Sequence, residues 1–184
     1  MNPRGCNSSR RQFLRTLSVT AAGMTLCSPW RTVLATAQDR SLAFFHTHTG
    51  EHLKLVYFSD GLYHPDALRE INHYLRDFRT DEIFPIDKRL LDILYTVRET
   101  CNSAGTFEVI SGYRSPKTNK LLRDQGRGVA RHSLHMLGKA IDVRLTHART
   151  SHLRDAAASL AQGGVGYYAK SDFVHLDTGR IRTW

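Results

Sequence analysis

The chain has 184 residues and a formal net charge of +9, with 26 lysines and arginines against 17 acidic residues. That length suits one domain with a substantial core rather than two. Five of the basic residues lie within residues 1–37, which contain no acid, and the other 21 are interspersed with acids. Because no basic stripe with interleaved aromatic residues remains, we expect no nucleic-acid partner.

The N-terminal segment has the pattern of an export signal. The arginine-rich motif SRRQFLR at residues 9–15 precedes a weakly apolar run over residues 16–26, and ATA stands at residues 35–37. A charged region, a short apolar region and a small-residue site are the parts of a cleavable signal. The arginine pair resembles the twin-arginine pattern of proteins that leave the cytoplasm folded.

We therefore predict a twin-arginine signal over residues 1–37 and a mature domain over residues 38–184. The twin-arginine translocase would be a partner during export, and the mature domain would act in the periplasm as a monomer. The chain contains no run of 18 apolar residues, so no transmembrane segment is predicted.

Periodicity in the remaining sequence predicts a mixture of helices and strands. In chain order, the predicted elements are a hairpin over 38–63 that turns at Thr49–Gly50, a helix over 65–78, a helix over 86–101 with Asp87 as its N-cap, a strand over 106–113, a helix from Ser115–Pro116 to about residue 125, a strand over 139–145, a helix over 150–162, and strands over 165–168 and 172–177. This order indicates an α+β domain with an antiparallel sheet and flanking helices.

The stretch RHSLHMLGKAIDVRL, residues 131–145, places a histidine and an aspartate close together. Alternation in the predicted strand puts Asp142 on the face opposite Ile141 and Val143. Gly138 permits a tight bend before the strand, which would bring His135 back over Asp142. These two side chains are candidate metal ligands.

A third candidate ligand is His175, in the predicted strand over residues 172–177. If this strand pairs with the strand that carries Asp142, the two side chains come within cross-strand reach. Two histidines and one aspartate, with a fourth position left open, are typical of a catalytic zinc site, whereas structural sites are usually closed by cysteine.

A hydrolytic zinc site also needs a group that takes a proton from water and passes it to the leaving amine. Asp177 and Asp172 are the two candidates near His175. Alternation favours Asp177, which shares a strand face with His175.

Three motifs carry a family resemblance: SGYRS at residues 111–115, SLHMLGKAID at 133–142 and FVHLDTG at 173–179. Together and in this order they resemble the zinc D-Ala-D-Ala peptidase superfamily, and within it the periplasmic murein endopeptidases that use twin-arginine export. The likeness extends over nearly the whole chain, including HTGE at 48–51, GGVGYY at 163–168 and the terminal tryptophan, Trp184.

The resemblance implies a hedgehog/D-Ala-D-Ala-peptidase-like fold in which His135, Asp142 and His175 hold Zn²⁺. It implies that Arg114 stabilises an oxyanion or grips a substrate carboxylate, as a guanidinium is suited to do. Many superfamily members place the base where Asp172 stands, whereas the nearer relatives share the aspartate at Asp177. The expected function is zinc-dependent hydrolysis of the peptide cross-links of peptidoglycan.

Two alternatives remain at this stage. A zinc-stabilised module could bind peptidoglycan or a protein without cutting it, as hedgehog-type domains keep a metal without evident hydrolysis. A D,D-carboxypeptidase would need a closed pocket for a terminal carboxylate. Among the other histidines, we interpret His46, His48 and His52 as structural and His132 as a residue at the rim of the site.

Overall fold

The computed structural model describes residues 38–126 and 128–184. The predicted export signal, residues 1–37, lies outside the described residues. In chain order the elements are β1 (Arg40–His46), β2 (His52–Ser59), β3 (Leu62–Tyr63), α1 (Pro65–Tyr74), α2 (Lys88–Thr100), β4 (Phe107–Ser111), α3 (Pro116–Asp124), a short 3₁₀ helix (Leu134–Leu137), β5 (Ala140–Leu145), α4 (Thr150–Leu160), β6 (Gly164–Tyr168), β7 (Phe173–Asp177) and β8 (Arg182–Thr183).

The helix boundaries follow local sequence signals. Asp87 caps α2, and its side chain accepts a hydrogen bond from the backbone N–H of Arg89. Ser115 caps α3 in the same way through the N–H of Thr118, and Pro116 takes the first helical position. Helix α1 ends at Tyr74, four residues before the predicted end, because Leu75 leaves helical geometry. No helix within residues 38–126 and 128–184 has the length and apolar character needed to cross a membrane.

The eight strands of the described residues form one sheet, in the order β3-β2-β1-β4-β5-β7-β6-β8. The α+β class and the flanking helices are as predicted, but the sheet is mixed, so the prediction of an antiparallel sheet was wrong. Strand β4 runs parallel to β1, and β8 runs parallel to β6. The two helices between β3 and β4 form a long crossover, which lets β4 enter the sheet in the direction of β1.

The two faces of the central strands have different roles. Ile141 and Val143 of β5, with Val174 and Leu176 of β7, belong to the buried hydrophobic core. Helix α4 contacts both strands and also packs beside α2. Because side chains alternate along a strand, the intervening residues of β5 and β7 project from the other face of the sheet.

Candidate metal centre

Two of the three candidate ligands lie opposite each other on neighbouring strands. Strands β5 and β7 are antiparallel, and their register pairs Asp142 directly with His175. This pairing confirms the predicted cross-strand approach. Nδ1 of His175 lies 2.8 Å from Oδ1 of Asp142.

His135 reaches the same place from the 3₁₀ helix that precedes β5. The side chain of Ser133 accepts the backbone N–H of His135 at the start of this helix, and Gly138 ends it with a φ of 63°. The left-handed conformation at Gly138 provides the predicted bend. Nδ1 of His135 donates a hydrogen bond to the carbonyl oxygen of Gly112 at 2.7 Å, so its Nε2 carries a lone pair toward Asp142 and His175.

The three donor atoms form a small triangle. Nε2 of His135 lies 3.2 Å from Nδ1 of His175 and 3.3 Å from Oδ1 of Asp142, and all three side chains are buried. Ligands about 2.0–2.1 Å from a tetrahedral zinc are separated by roughly 3.4 Å. The two edges that meet at His135 are close to that separation, the edge between Asp142 and His175 is shorter at 2.8 Å, and the donor set is one that zinc accepts.

Burial and mutual contact shift the pKa values of the three groups. Burial lowers the pKa of His135, and the charge of Asp142 only partly opposes this. Burial alone would raise the pKa of Asp142, but the His135 and His175 imidazoles outweigh it and hold that pKa well below its usual range. Burial would likewise lower the pKa of His175, but hydrogen bonds to Asp142 and Asp177 raise it to about 9. An anionic carboxylate between two imidazoles favours a cation at this position.

Arg114 lies beside the triangle. Its Nη2 is 3.5 Å from Oδ2 of Asp142 and donates to Oγ of Ser111 at 3.2 Å. Its Nε is buried and has no hydrogen-bond partner among the described residues. Burial lowers the pKa of Arg114, although the charge of Asp142 opposes the effect. A buried guanidinium with a free N–H beside a metal-type cluster is suited to receive an oxygen atom of a ligand.

Asp177 contacts His175 from the other side of the imidazole ring. Oδ2 of Asp177 lies 3.1 Å from Nε2 of His175, whereas Nδ1 of the same ring faces Asp142. The Asp177 side chain is fully buried and also pairs with Arg182. Burial would raise its pKa, but the hydrogen bonds from His175 and Arg182 hold it well below its usual range.

Asp172 is exposed and has other partners. It accepts a hydrogen bond from Thr150 at the start of α4, at 2.6 Å, and lies 3.7 Å from Nε of Arg144. It also lines a cavity of about 490 Å³ with Glu108, and that cavity contains none of the three candidate ligands among its lining residues.

The histidines interpreted as structural stay out of the cluster. His46 is buried, and its Nδ1 accepts the backbone N–H groups of His48 and Thr49 in the hairpin turn. Within the part of the chain that the structure describes, the single group of at least three metal-type ligands is His135, Asp142 and His175. His132 is exposed, as expected for a rim residue.

The sequence analysis assigned no role at the site to Arg182 or Trp184, which lie next to the cluster. Arg182 pairs with Asp177, and the Trp184 ring lies 5.3 Å from the His175 ring, centroid to centroid. Strand β8 is two residues long, too short to show an alternation pattern. Only its pairing with β6, which no local pattern reveals, places these side chains at the site.

Comparison with known proteins identifies similar chains. The model of the family Peptidase_M15_2, described as peptidoglycan L,D-endopeptidase MepK, matches residues 34–184. The peptidoglycan L,D-endopeptidase MepK of Escherichia coli (strain K12) is 39% identical over 178 residues, which is 97% of this chain and 98% of that protein. The probable peptidoglycan L,D-endopeptidase MepK of Haemophilus influenzae is 38% identical over 153 residues, 83% of this chain and 82% of that protein.

Proposed function

Since this chain belongs to the Peptidase_M15_2 family of peptidoglycan endopeptidases, we propose that it is a zinc-dependent L,D-endopeptidase that hydrolyses peptide cross-links in the periplasm. Its activity as a peptidoglycan endopeptidase rests on the family match and on relatives that align over almost the whole chain. The metal, the roles of individual residues, the type of bond and the compartment are our proposal.

The observation that supports the metal is the triangle of donor atoms formed by His135, Asp142 and His175. The M15 family is generally zinc-dependent, and the donors of this chain fit zinc in type and spacing. A zinc ion held there would lower the pKa of a water molecule and polarise a substrate carbonyl. The protein's own task is to hold the three donors fixed, and their location on two paired strands and a capped turn serves that task.

Arg114 is the residue we propose to receive the substrate. Its Nη2 lies 3.5 Å from Oδ2 of Asp142, and its Nε has no partner among residues 38–126 and 128–184, so a peptide carbonyl oxygen or a carboxylate could accept from both. Two parallel N–H donors fix the orientation of such a group as well as its distance. A donor placed where negative charge develops stabilises the transition state more than the ground state.

The proton-transfer group was predicted to be Asp177 or Asp172, and that assignment stays a prediction. The contacts of both residues favour other roles. Asp177 is separated from the donor triangle by the imidazole ring of His175, and Asp172 is engaged with Thr150 and Arg144. We propose that Asp177 acts through His175 rather than on the water itself.

The remaining expectations also belong to this proposal. The predicted twin-arginine signal at residues 1–37 supports export to the compartment where peptidoglycan lies. Replacing Arg10 and Arg11 by lysine should keep the protein in the cytoplasm, which cell fractionation would detect. We expect the exported domain, residues 38–184, to act as a monomer.

The direct test is product analysis on defined cross-linked muropeptides. One substrate would carry a cross-link that joins an L-configured acyl residue to a D-configured amine, and the other would carry a D,D cross-link. Purified protein should release monomers from the first substrate, lose this activity on chelation and regain it with Zn²⁺. Cleavage of the D,D substrate alone would overturn the bond assignment, and full activity after complete removal of metal would overturn the role of zinc.

A further inference from the structure

Strand β8 and the residue that follows it supply two contacts around His175: Arg182 pairs with Asp177, which contacts Nε2 of His175, and the Trp184 ring lies 5.3 Å from the imidazole. We infer that Asp177, Arg182 and Trp184 act as positioning residues, which fix the imidazole of His175 so that its Nδ1 faces the metal. The inference rests on the proposed function, because it assumes that the triangle binds zinc. This role of β8 goes beyond the endopeptidase activity that the family match and the relatives support.

The first support is the set of hydrogen bonds around Asp177. Its Oδ1 accepts the backbone N–H groups of Gly164 and Gly179 at 3.1 and 2.8 Å, and Arg182 donates to both of its oxygens at 3.1 and 2.6 Å. The remaining contact of this carboxylate is the one to the candidate ligand, a 3.1 Å hydrogen bond between Oδ2 of Asp177 and Nε2 of His175. A carboxylate with so many donors has little freedom to rotate, so it fixes the direction of the imidazole N–H that it accepts.

The consequence for His175 is a fixed ring orientation. A carboxylate that accepts the Nε2 proton leaves Nδ1 as the ring atom that a metal would take in place of a proton, and Nδ1 lies 2.8 Å from Asp142. A histidine ligand held through its second nitrogen in this way is fixed in ring orientation and is a stronger donor to a metal. Asp177 therefore contributes to the site without touching the metal or the substrate.

Arg182 compensates the charge of the buried Asp177 carboxylate. The Asp177 side chain is fully buried, whereas 31% of the Arg182 side chain is exposed. The guanidinium therefore keeps contact with solvent while it pairs with the buried carboxylate. Removal of the guanidinium would leave a buried carboxylate whose remaining donors are His175 and two backbone amides. Such a carboxylate would be free to turn away from the position that Arg182 now fixes, and this would loosen its hold on His175.

Trp184 fixes the ring from a second direction. Its indole lies over Gly166, where a Cβ atom would stand 2.6 Å from the ring, and its centroid is 5.3 Å from that of His175. The guanidinium of Arg182 lies 4.6 Å from the centroid of the same indole, and the indole N–H donates to the hydroxyl of Tyr168 at 3.1 Å. The glycine at position 166 therefore leaves space for the indole beside the imidazole.

These contacts are arranged for positioning rather than for proton transfer. A general base must lie within hydrogen-bond reach of the proton that it abstracts. Asp177 lies on the edge of the imidazole opposite the donor triangle, its side chain has no exposed surface, and its oxygens already accept from Arg182, His175 and two amides.

Zinc affinity separates this inference from a purely structural role. The full chain would be titrated with Zn²⁺ against a chelating dye as the wild type and as Arg182→Gln, Arg182→Lys, Trp184→Leu and Asp177→Asn. We expect Arg182→Gln and Asp177→Asn to weaken zinc binding by about 10- to 100-fold. Arg182→Lys should lose less affinity than Arg182→Gln because it keeps the charge, and Trp184→Leu should also show a smaller loss. Arg180→Gln is the matched control, because Arg180 is an exposed arginine of the same segment.

Two further measurements distinguish a loss of His175 positioning from a loss of the fold. Thermal unfolding without metal should remain cooperative for Arg182→Gln, with a lower midpoint than for Arg180→Gln because a buried carboxylate loses its partner. Zinc titrations well below both midpoints would show that the loss of affinity is not a loss of fold. In nitrogen-15 NMR spectra, the His175 Nε2 proton should exchange with water faster in Arg182→Gln than in the wild type. Unchanged zinc affinity in both Arg182→Gln and Asp177→Asn, in a wild type that binds one zinc, would overturn the inference and leave the proposed function standing. Failure of the wild type to bind zinc would instead overturn the zinc site itself.

Discussion

Asp142 and His175 face each other across the antiparallel strands β5 and β7, with Oδ1 of Asp142 only 2.8 Å from Nδ1 of His175. Because both residues lie on paired strands, their separation is set by the hydrogen-bonding register of the sheet rather than by a loop. His135 completes the triangle from a turn whose own backbone is fixed by Ser133 and Gly138. The fold itself therefore holds the three candidate ligands together.

The first prediction concerns the metal ligands. The wild type should bind one Zn²⁺ per chain, and His135→Ala or Asp142→Asn should weaken binding by more than about 100-fold, because even residues that only support ligands are worth about 10- to 100-fold. Metal content by mass spectrometry and competition with a chelator would measure this. His132→Ala is the matched control, since His132 is exposed and lies three residues before His135. Equal losses in the two histidine variants would count against the assignment.

The second prediction concerns Arg114. Replacement by glutamine removes donors beside Asp142 and should lower kcat by about 10²- to 10³-fold while zinc content stays near one. Arg114→Lys keeps the charge but not the planar pair of donors, so it should recover only a small part of the activity. Steady-state kinetics on a defined cross-linked muropeptide would separate kcat from KM. A rise in KM with unchanged kcat would indicate uniform substrate binding rather than stabilisation of the transition state.

The third prediction separates the two candidate aspartates. If Asp177 acts through His175, then Asp177→Asn should lose activity and zinc affinity together, and excess zinc should restore much of the activity. A general base would behave differently, because its amide variant would keep zinc affinity and stay inactive at any zinc concentration. Asp172→Asn should retain most activity, since its carboxylate is held by Thr150 and Arg144. Activity and zinc affinity measured on the same preparations would decide between the roles.

Much of the candidate site could be predicted from the sequence because the positions of its three residues follow local rules. Strand alternation places Asp142 and His175 on the face away from the core residues Ile141 and Val143, and the left-handed conformation favoured by Gly138 returns His135 to that face. The family resemblance, which the comparisons confirm, rests on these same motifs. The helix caps at Asp87 and Ser115 could likewise be predicted, because aspartate and serine are preferred at the N-cap, where their side chains accept a backbone N–H.

Other features depended on contacts between distant segments. The parallel pairing of β1 with β4 is set by a crossover of two helices, and strand patterns do not encode the direction of pairing. Alternation indicated that Asp177 and His175 share a face, and the structure shows both at the site. It could not indicate which edge of the imidazole the carboxylate would meet, because that depends on Arg182 from β8.

The fourth prediction concerns acid stability through Asp77. This buried carboxylate accepts the backbone N–H groups of Ser115 and Arg79 at 2.9 and 3.0 Å, so it ties the segment after α1 to the residue next to Arg114. Burial would raise its pKa, but hydrogen bonds from Thr118 and Ser115 hold it below the usual value.

A group whose pKa is depressed in the folded state stabilises the protein above its unfolded pKa, about 3.9 for aspartate, and the stabilisation is lost as the pH falls through the folded value. The free energy of unfolding, from urea titrations, should therefore decrease as the pH is lowered from about 5 to 3. Asp77→Asn should be destabilised by about 1–3 kcal/mol at neutral pH, because the amide supplies only one acceptor oxygen and no charge. Its stability should also depend less on pH than that of the wild type. An identical pH dependence in the two proteins would show that Asp77 does not carry the effect.

The last prediction concerns Gly138, where the backbone and the site are most closely linked. Its φ is 63°, and a Cβ atom there would collide with the carbonyl oxygen of Pro85. Its own carbonyl oxygen accepts the N–H of Asp87 at 2.9 Å, so the turn cannot move without disturbing the start of α2. Gly138→Ala should therefore destabilise the fold and also shift His135, with a loss of zinc affinity.

Gly50→Ala provides the matched control for this substitution. Gly50 has a φ of 75° and nothing within 4 Å of the position of a Cβ atom, so alanine there carries only the conformational cost of a left-handed residue, about 1–2 kcal/mol. Gly138→Ala should exceed that cost in urea unfolding because it adds a collision with backbone, and it alone should weaken zinc binding. If the two variants lost the same stability and bound zinc equally well, the turn at Gly138 would not be what holds His135 in place.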